Sequence, residues 1–166
     1  MVNNKERGIS LLEILVVVSI FAVLGILITR SIILTLQGSQ KSTSLVHARE
    51  NLDYSLSIIE RQIRGASSVI QCPNPDSKII YYEDQSGKTS SFSCYQTGQN
   101  NSYIASGSAR LTSDSVKVTT CSFACTLSPG SKQPVVAIDL AIEDASALGI
   151  QNANVSASTQ IYLRNY

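Results

Sequence analysis

The chain of 166 residues is short of histidine, the side chain that general acid–base catalysis uses most often. Its one histidine, His47, lies beside an apolar stripe at helical spacing, where a lone imidazole is far more often structural or solvated than catalytic. No glycine-rich phosphate loop, no GxSxG elbow and no His or Cys pairs that complete a metal-ligand set occur, so no constellation of acid, base or nucleophile can be assembled. The sequence reads as a non-enzyme without a cofactor. Charge is also scarce: 15% of residues are charged and the formal net charge is +1, so no global field steers the chain onto nucleic acid. Asp139, Glu143 and Asp144 are near one another in sequence, but their spacing is unlike an EF-hand loop and no metal site is assigned to them. No internal repeat is visible.

What the chain does have is one long hydrophobic run. A stub containing Lys5, Glu6, Arg7 and Gly8 leads into Ile9-Ser10-Leu11-Leu12-Glu13 and then into an apolar block from Ile14 to Ile28. From Ile9 to Thr29 the stretch is about 21 residues, roughly 30 Å as a helix, which matches the hydrocarbon thickness of a bilayer. One carboxylate, Glu13, sits inside it, where a mid-span acid costs about 2.5 to 3.5 kcal/mol and therefore calls for a function. Residues 1–8 contain no apolar region of their own, so an ordinary secretory signal peptide fits poorly. Lys5 and Arg7 place the N-terminus in the cytoplasm by the positive-inside tendency, a bias that Arg30 and Lys41 on the other side weaken.

The order of basic leader, Gly8, hydrophobic Ile9, Glu13 four residues later and an unbroken apolar helix resembles the class III signal of type IV prepilins and pseudopilins. The resemblance implies that a prepilin peptidase cuts between Gly8 and Ile9 and methylates the Ile9 amine. It also implies that the helix anchors the subunit in the membrane and later forms a filament core, with Glu13 acting in assembly. Implied partners are the peptidase, other pilin or pseudopilin subunits and the membrane, with nucleic acid reached only through an assembled filament. Two positions depart from the family. Its first mature residue is most often phenylalanine, where this chain has Ile9, and the proline that commonly kinks the pilin helix is matched by Arg30, so no kink is expected from it. Removal of Lys5, Glu6 and Arg7 with the leader leaves 11 basic and 11 acidic residues.

Beyond Arg30 the helical character continues through Ile32, Ile33, Leu34 and Leu36, loosens over Gln37 to Ser44, and resumes as a stripe at Leu45, Ala48, Leu52, Leu56, Ile59, Ile63 and Ala66. Glu60 and Arg64 are spaced for an i,i+4 ion pair, and Gly65 is placed to close the helix as a C′ residue. The rest reads as strands. Lys78–Glu83 and Thr89–Tyr95 flank a five-residue connection and predict a hairpin; Val116–Thr119, Val136–Glu143 and Thr159–Arg164 predict three more strands, with Val136, Ile138, Leu140 and Ile142 on one face. The expected fold class is α+β, a long N-terminal helix, first transmembrane and then amphipathic, packed against a C-terminal antiparallel β-sheet. Its expected segments are a leader over 1–8, a membrane and filament-core helix over 9–29, an amphipathic helix over 30–65 and an extracytoplasmic β-rich domain over 66–166.

All four cysteines, Cys72, Cys94, Cys121 and Cys125, follow the membrane segment, and an even count in a small exported domain favours disulfides. Cys121 and Cys125 have a spacing that can hold zinc, but no second pair completes four ligands. Because Cys72 enters the predicted hairpin and Cys94 lies on its return strand, the expected pairs are Cys72 with Cys94 and Cys121 with Cys125. Tyr81, Tyr82, Tyr95, Tyr103, Tyr162 and Tyr166 could stack on a ligand, though alternation places Tyr81 and Tyr82 on opposite faces as ordinary sheet residues. Asn100-Asn101-Ser102 and Asn154-Val155-Ser156 match the glycosylation pattern, which arises readily by chance in Ser/Asn-rich loops. The main rival to a filament subunit is a permanently anchored single-pass protein whose outer domain binds a ligand or envelope partner.

Overall fold

The computed structural model of the chain describes residues 10–71, 76–127, 134–145 and 153–163. Its elements follow the order α1 (Leu11–Arg64), β1 (Ser68–Gln71), β2 (Ile79–Glu83), β3 (Thr89–Tyr95), β4 (Tyr103–Ser106), β5 (Ala109–Arg110), β6 (Val116–Leu127), β7 (Pro134–Asp144) and β8 (Asn154–Tyr162). The helix runs without interruption through Gly38 and the Ser/Thr-rich tract around it. A mid-helix glycine costs about 1 kcal/mol relative to alanine, which formed turns on either side offset once a helix is nucleated. The chain divides into two compact units, Met1–Ser39 and Gln40–Tyr166.

In the second unit α1 supplies one wall of the core. Ala48, Leu52, Leu56, Ile59 and Ile63 are buried, as the stripe requires. The stripe does not extend back to Leu45, which is exposed; the row of four-residue steps leads from Ala48 to Ser44, which is buried instead. Glu60 does not pair with Arg64. Its Oε1 accepts a hydrogen bond from Thr159 Oγ1 at 3.0 Å, so this carboxylate ties the helix to β8. Nor does Gly65 take the left-handed C′ conformation. Gly65 N–H donates to Arg61 O (3.2 Å) and Ala66 N–H to Ile63 O (3.1 Å), so the helix tightens over its last residues and runs on with Ala66 still in the core.

Two antiparallel sheets take the place of the single sheet expected, one ordered β1-β2-β3-β4-β5 and one β6-β7-β8. The predicted hairpin forms as β2 and β3, with Glu83 opposite Thr89. Asp84 organises its turn: Oδ1 accepts from Ser86 N–H (2.8 Å), Ser86 Oγ (2.6 Å) and Lys88 N–H (3.0 Å). Gly87 takes φ +77°, a region where glycine carries no Cβ penalty. These hydrogen bonds, the Ser86 hydroxyl first, hold the Asp84 carboxyl below its ordinary range.

In the second sheet Val136, Ile138, Leu140 and Ile142 of β7 are all buried, on the face the alternation assigned to them. β6 is longer than Val116–Thr119 because a bulge interrupts its alternation. The register passes from Val118 opposite Ile142 to Thr120 opposite Ala141, so the inward residues change from Val116 and Val118 to Cys121 and Phe123. Thr119 Oγ1 donates to Ala141 O (3.2 Å) at the bulge. β8 begins at Asn154, five residues earlier than expected, because its first half carries small polar side chains that show little periodicity; Arg164 lies outside the described residues. Residues of α1 and of both sheets, including Ile80, Tyr82, Phe92, Ile104 and Ile161, form one hydrophobic core.

Candidate functional site

Every described residue from Ser10 to Leu36 is exposed. Within that stretch Leu11, Leu12, Ile14 to Val18, Ile20, Phe21, Val23, Leu24 and Ile26 to Ile28 are large or branched apolar side chains open to the surroundings, and Ile32, Ile33, Leu34 and Leu36 extend the surface past Thr29. An apolar surface of this extent on all sides of a helix cannot face water and requires lipid or other protein. By length and composition α1 is able to cross a membrane. Three hydroxyls along it are satisfied by the helix's own carbonyls: Ser19 Oγ donates to Val16 O, Thr29 Oγ1 to Gly25 O and Thr35 Oγ1 to Ser31 O, at 2.8, 2.8 and 2.9 Å.

Glu13 stands apart. It is in the first turn of α1, at the positive end of the helix dipole, and among the described residues no hydrogen bond or ion pair holds its carboxylate. Its own N–H and that of Ile14 share Ser10 O as acceptor, at 3.0 and 3.3 Å, which makes Ser10 the residue that opens the helix. The Ser10-x-x-Glu13 spacing, a capping-box pattern legible in the sequence, is the signal that could have marked this helix start. Gly8 and Ile9, the residues of the expected cut and methylation, lie outside the described residues.

The cysteines pair differently from the expectation. Cys94 of β3 is bonded to Cys121 of β6, with Cα atoms 6.1 Å apart, so the link joins the two sheets. Cys125 is also disulfide-bonded, and Cys72 lies outside the described residues. A Cys121–Cys125 link is ruled out by the strand that holds both: four residues of extended chain span about 13 Å, well beyond disulfide reach. The bulge at Thr119 is what turns Cys121 into the core toward Cys94. Beside it, Lys78 Nζ donates to Cys121 O (2.7 Å) and Phe123 N–H to Ser77 O (2.8 Å).

The remaining candidates scatter. His47 is exposed on α1. Asp139 and Glu143 share the outer face of β7, where Glu143 pairs with Lys117 (3.1 Å), while Asp144 points to the opposite face and is buried. Among the described residues no three potential ligands gather at a metal-sized site. Tyr81 is exposed and Tyr82 buried, as alternation requires; Tyr82 stacks on Phe92 (centroids 5.3 Å) and its hydroxyl donates to Gln62 Oε1 (2.6 Å). Burial raises the Tyr82 phenol above its ordinary pKa.

Comparison with known proteins bears on the N-terminal segment alone. Residues 3–29 match the family model described as the prokaryotic N-terminal methylation motif. No curated protein and no solved structure matches the chain. The matched residues include Gly8, Ile9, Glu13 and the apolar block to Thr29, and so support a processed, pilin-like subunit anchored by this helix.

Proposed function

We propose that the chain is a structural subunit, of minor pilin or pseudopilin type, of a type IV pilus or a type II secretion-like filament. The observation that carries this reading is the coincidence of the methylation motif with a helix whose whole surface from Ser10 to Leu36 is exposed and largely apolar. In this reading residues 1–8 are removed by prepilin peptidase, Ile9 becomes the methylated terminus, and residues 9–29 hold the subunit in the cytoplasmic membrane. The N-terminus is then cytoplasmic, and residues 66–166 form the extracytoplasmic domain carried on the helix of residues 30–65. Assembly exchanges lipid for other subunits' helices around the apolar surface.

Glu13 has a defined part in that exchange. In a lone subunit Glu13, four residues after the Ile9 amine and in the first turn of α1, can reach the wet interface. In a filament core that escape closes, and an unpaired charge there costs several kcal/mol, so pairing with the Ile9 amine of a neighbouring subunit sets the axial register of the incoming chain. Glu13→Leu then leaves a mature chain lacking residues 1–8 in the membrane and strongly lowers its recovery in sheared filaments. Wild-type incorporation of the variant would contradict the register role, and failure of cleavage would assign Glu13 to recognition by the peptidase. A wild-type chain that keeps residues 1–8 and never enters filaments would support the permanently anchored binding protein.

A further inference from the structure

The edge of the five-stranded sheet carries an aromatic ladder that the filament reading does not use. Tyr95 of β3 and Tyr103 of β4 are directly opposite in register, with rings 4.7 Å apart and 19° from parallel. Arg110 of β5 lies over the Tyr103 ring at 4.8 Å. Because β4 lies between β3 and β5, Tyr103 is sandwiched and Tyr95 is the outer rung. Arg110 is fixed in place: Nε donates to Thr112 O (2.7 Å), Nη2 to Ser113 O (3.1 Å), and Nη1 is held by the Asp114 carboxylate. Tyr95 keeps 43% of its surface exposed, a large apolar area to leave open at the end of an ordered stack.

This ladder lines a cleft of about 430 Å³, within the size range of small-molecule sites. The loop after β3 adds Gln96, Asn100 and Asn101 to the lining, and Asp114 completes it beside Arg110. Turn bonds from Gln99 N–H to Gln96 O (2.9 Å) and from Ser102 N–H to Gln99 O (3.1 Å) shape that loop, and Gly98 N–H donates to Val118 O (2.8 Å) to pin it against β6. Gln96 is held at φ +48°, a conformation non-glycine residues avoid and one that recurs at ligand sites.

The chemistry of the lining selects its ligand. Arg110 is the one cation among the lining residues, and its charge is met by Asp114, so a phosphate finds no free positive charge there. What the cleft offers is a flat aromatic face bordered by three amides, each able to donate and accept. A pyranose ring with equatorial substituents matches both, since its axial C–H bonds make an apolar face and its hydroxyls project to the rim. We propose that this cleft is a binding site for neutral saccharides of gluco configuration, with Tyr95 as the stacking platform and Gln96, Asn100 and Asn101 as the hydroxyl partners. The site is independent of the processing at Gly8.

The test uses the full chain in a detergent with a non-sugar headgroup, titrated with cellotriose and with chitotriose to about 10 mM and followed by saturation-transfer NMR. Binding is expected, with the strongest transfer to the axial ring protons. Tyr95→Ala should weaken it by about tenfold or more, whereas Tyr95→Phe should stay within about twofold. Tyr81→Ala, which removes an exposed tyrosine elsewhere on the sheet, should change nothing, and cooperative unfolding of each variant checks that the fold is kept. No transfer to either trisaccharide, equal binding by Tyr95→Ala, or preferential binding of a thymidine dinucleotide would each overturn the proposal.

Discussion

Phe21 and Phe92 are the same side chain in opposite circumstances. Phe21, at 69% exposure, projects from an all-apolar stretch of α1, while Phe92, at 0%, is stacked against Tyr82 beneath the first sheet. The difference holds for the regions around them. From Ser10 to Leu36 the apolar side chains are all exposed, whereas from Ala48 to Leu163 most of the large aliphatic residues share one core. In the first region hydrophobicity is addressed to other molecules and in the second to the chain itself. The first region can therefore be read residue by residue along the sequence, while the second acquires meaning only from pairings distant in sequence.

Removing the buried half of α1 should break the second region outright. A chain beginning at Ala66 loses Ala48, Leu52, Leu56, Ile59 and Ile63 from the core and exposes the inner faces of both sheets, so it is expected to show no cooperative unfolding transition and poorly dispersed NMR shifts. The matched phenylalanines give the next largest contrast. Phe92→Ala should destabilise the domain by about 3 to 5 kcal/mol in urea unfolding, and Phe21→Ala by less than about 0.5 kcal/mol. Reduction of the Cys94–Cys121 link, which spans a sequence separation of 27, should cost about 3 to 4 kcal/mol by loop closure. Non-reducing peptide mapping should recover Cys94 joined to Cys121 and, in a chain of four cysteines, Cys72 joined to Cys125.

The smallest effect belongs to Asp84. Its carboxyl is depressed in the folded hairpin, so its contribution is present above the ordinary aspartate pKa and is lost as pH falls through the lower folded value. The amide protons of Ser86 and Lys88, both bonded to Oδ1, should report this titration by NMR below the usual aspartate range. A titration at the ordinary aspartate value would show that the turn is not closed by Asp84.

Local pattern made the helix, the β2–β3 hairpin and the inner face of β7 legible, because each is a sustained period or a strong turn in continuous sequence. The elements that escaped are short or interrupted. β1, β4 and β5 have four, four and two residues, too few for alternation to stand out, and the bulge at Thr119 reverses the phase of β6 midway. The disulfide pairing was lost with that phase: with β6 read as ending at Thr119, nothing set Cys121 beside Cys94, and the Cys121–Cys125 link then left over is one that strand geometry forbids. In the candidate site Glu13 was visible as a charge out of place, while the Tyr95–Tyr103–Arg110 ladder was not, because three strands must be brought side by side before its members meet.

Processing of the N-terminal region before it acts is the step on which the proposed function rests. Intact-mass measurement of the protein isolated from membranes of cells with an active prepilin peptidase tests it most directly. The expected product is a chain that begins at Ile9 and carries one added methyl group at that amine, with the unprocessed mass returning when the peptidase is absent. A chain that retains residues 1–8 in the presence of the peptidase would contradict it.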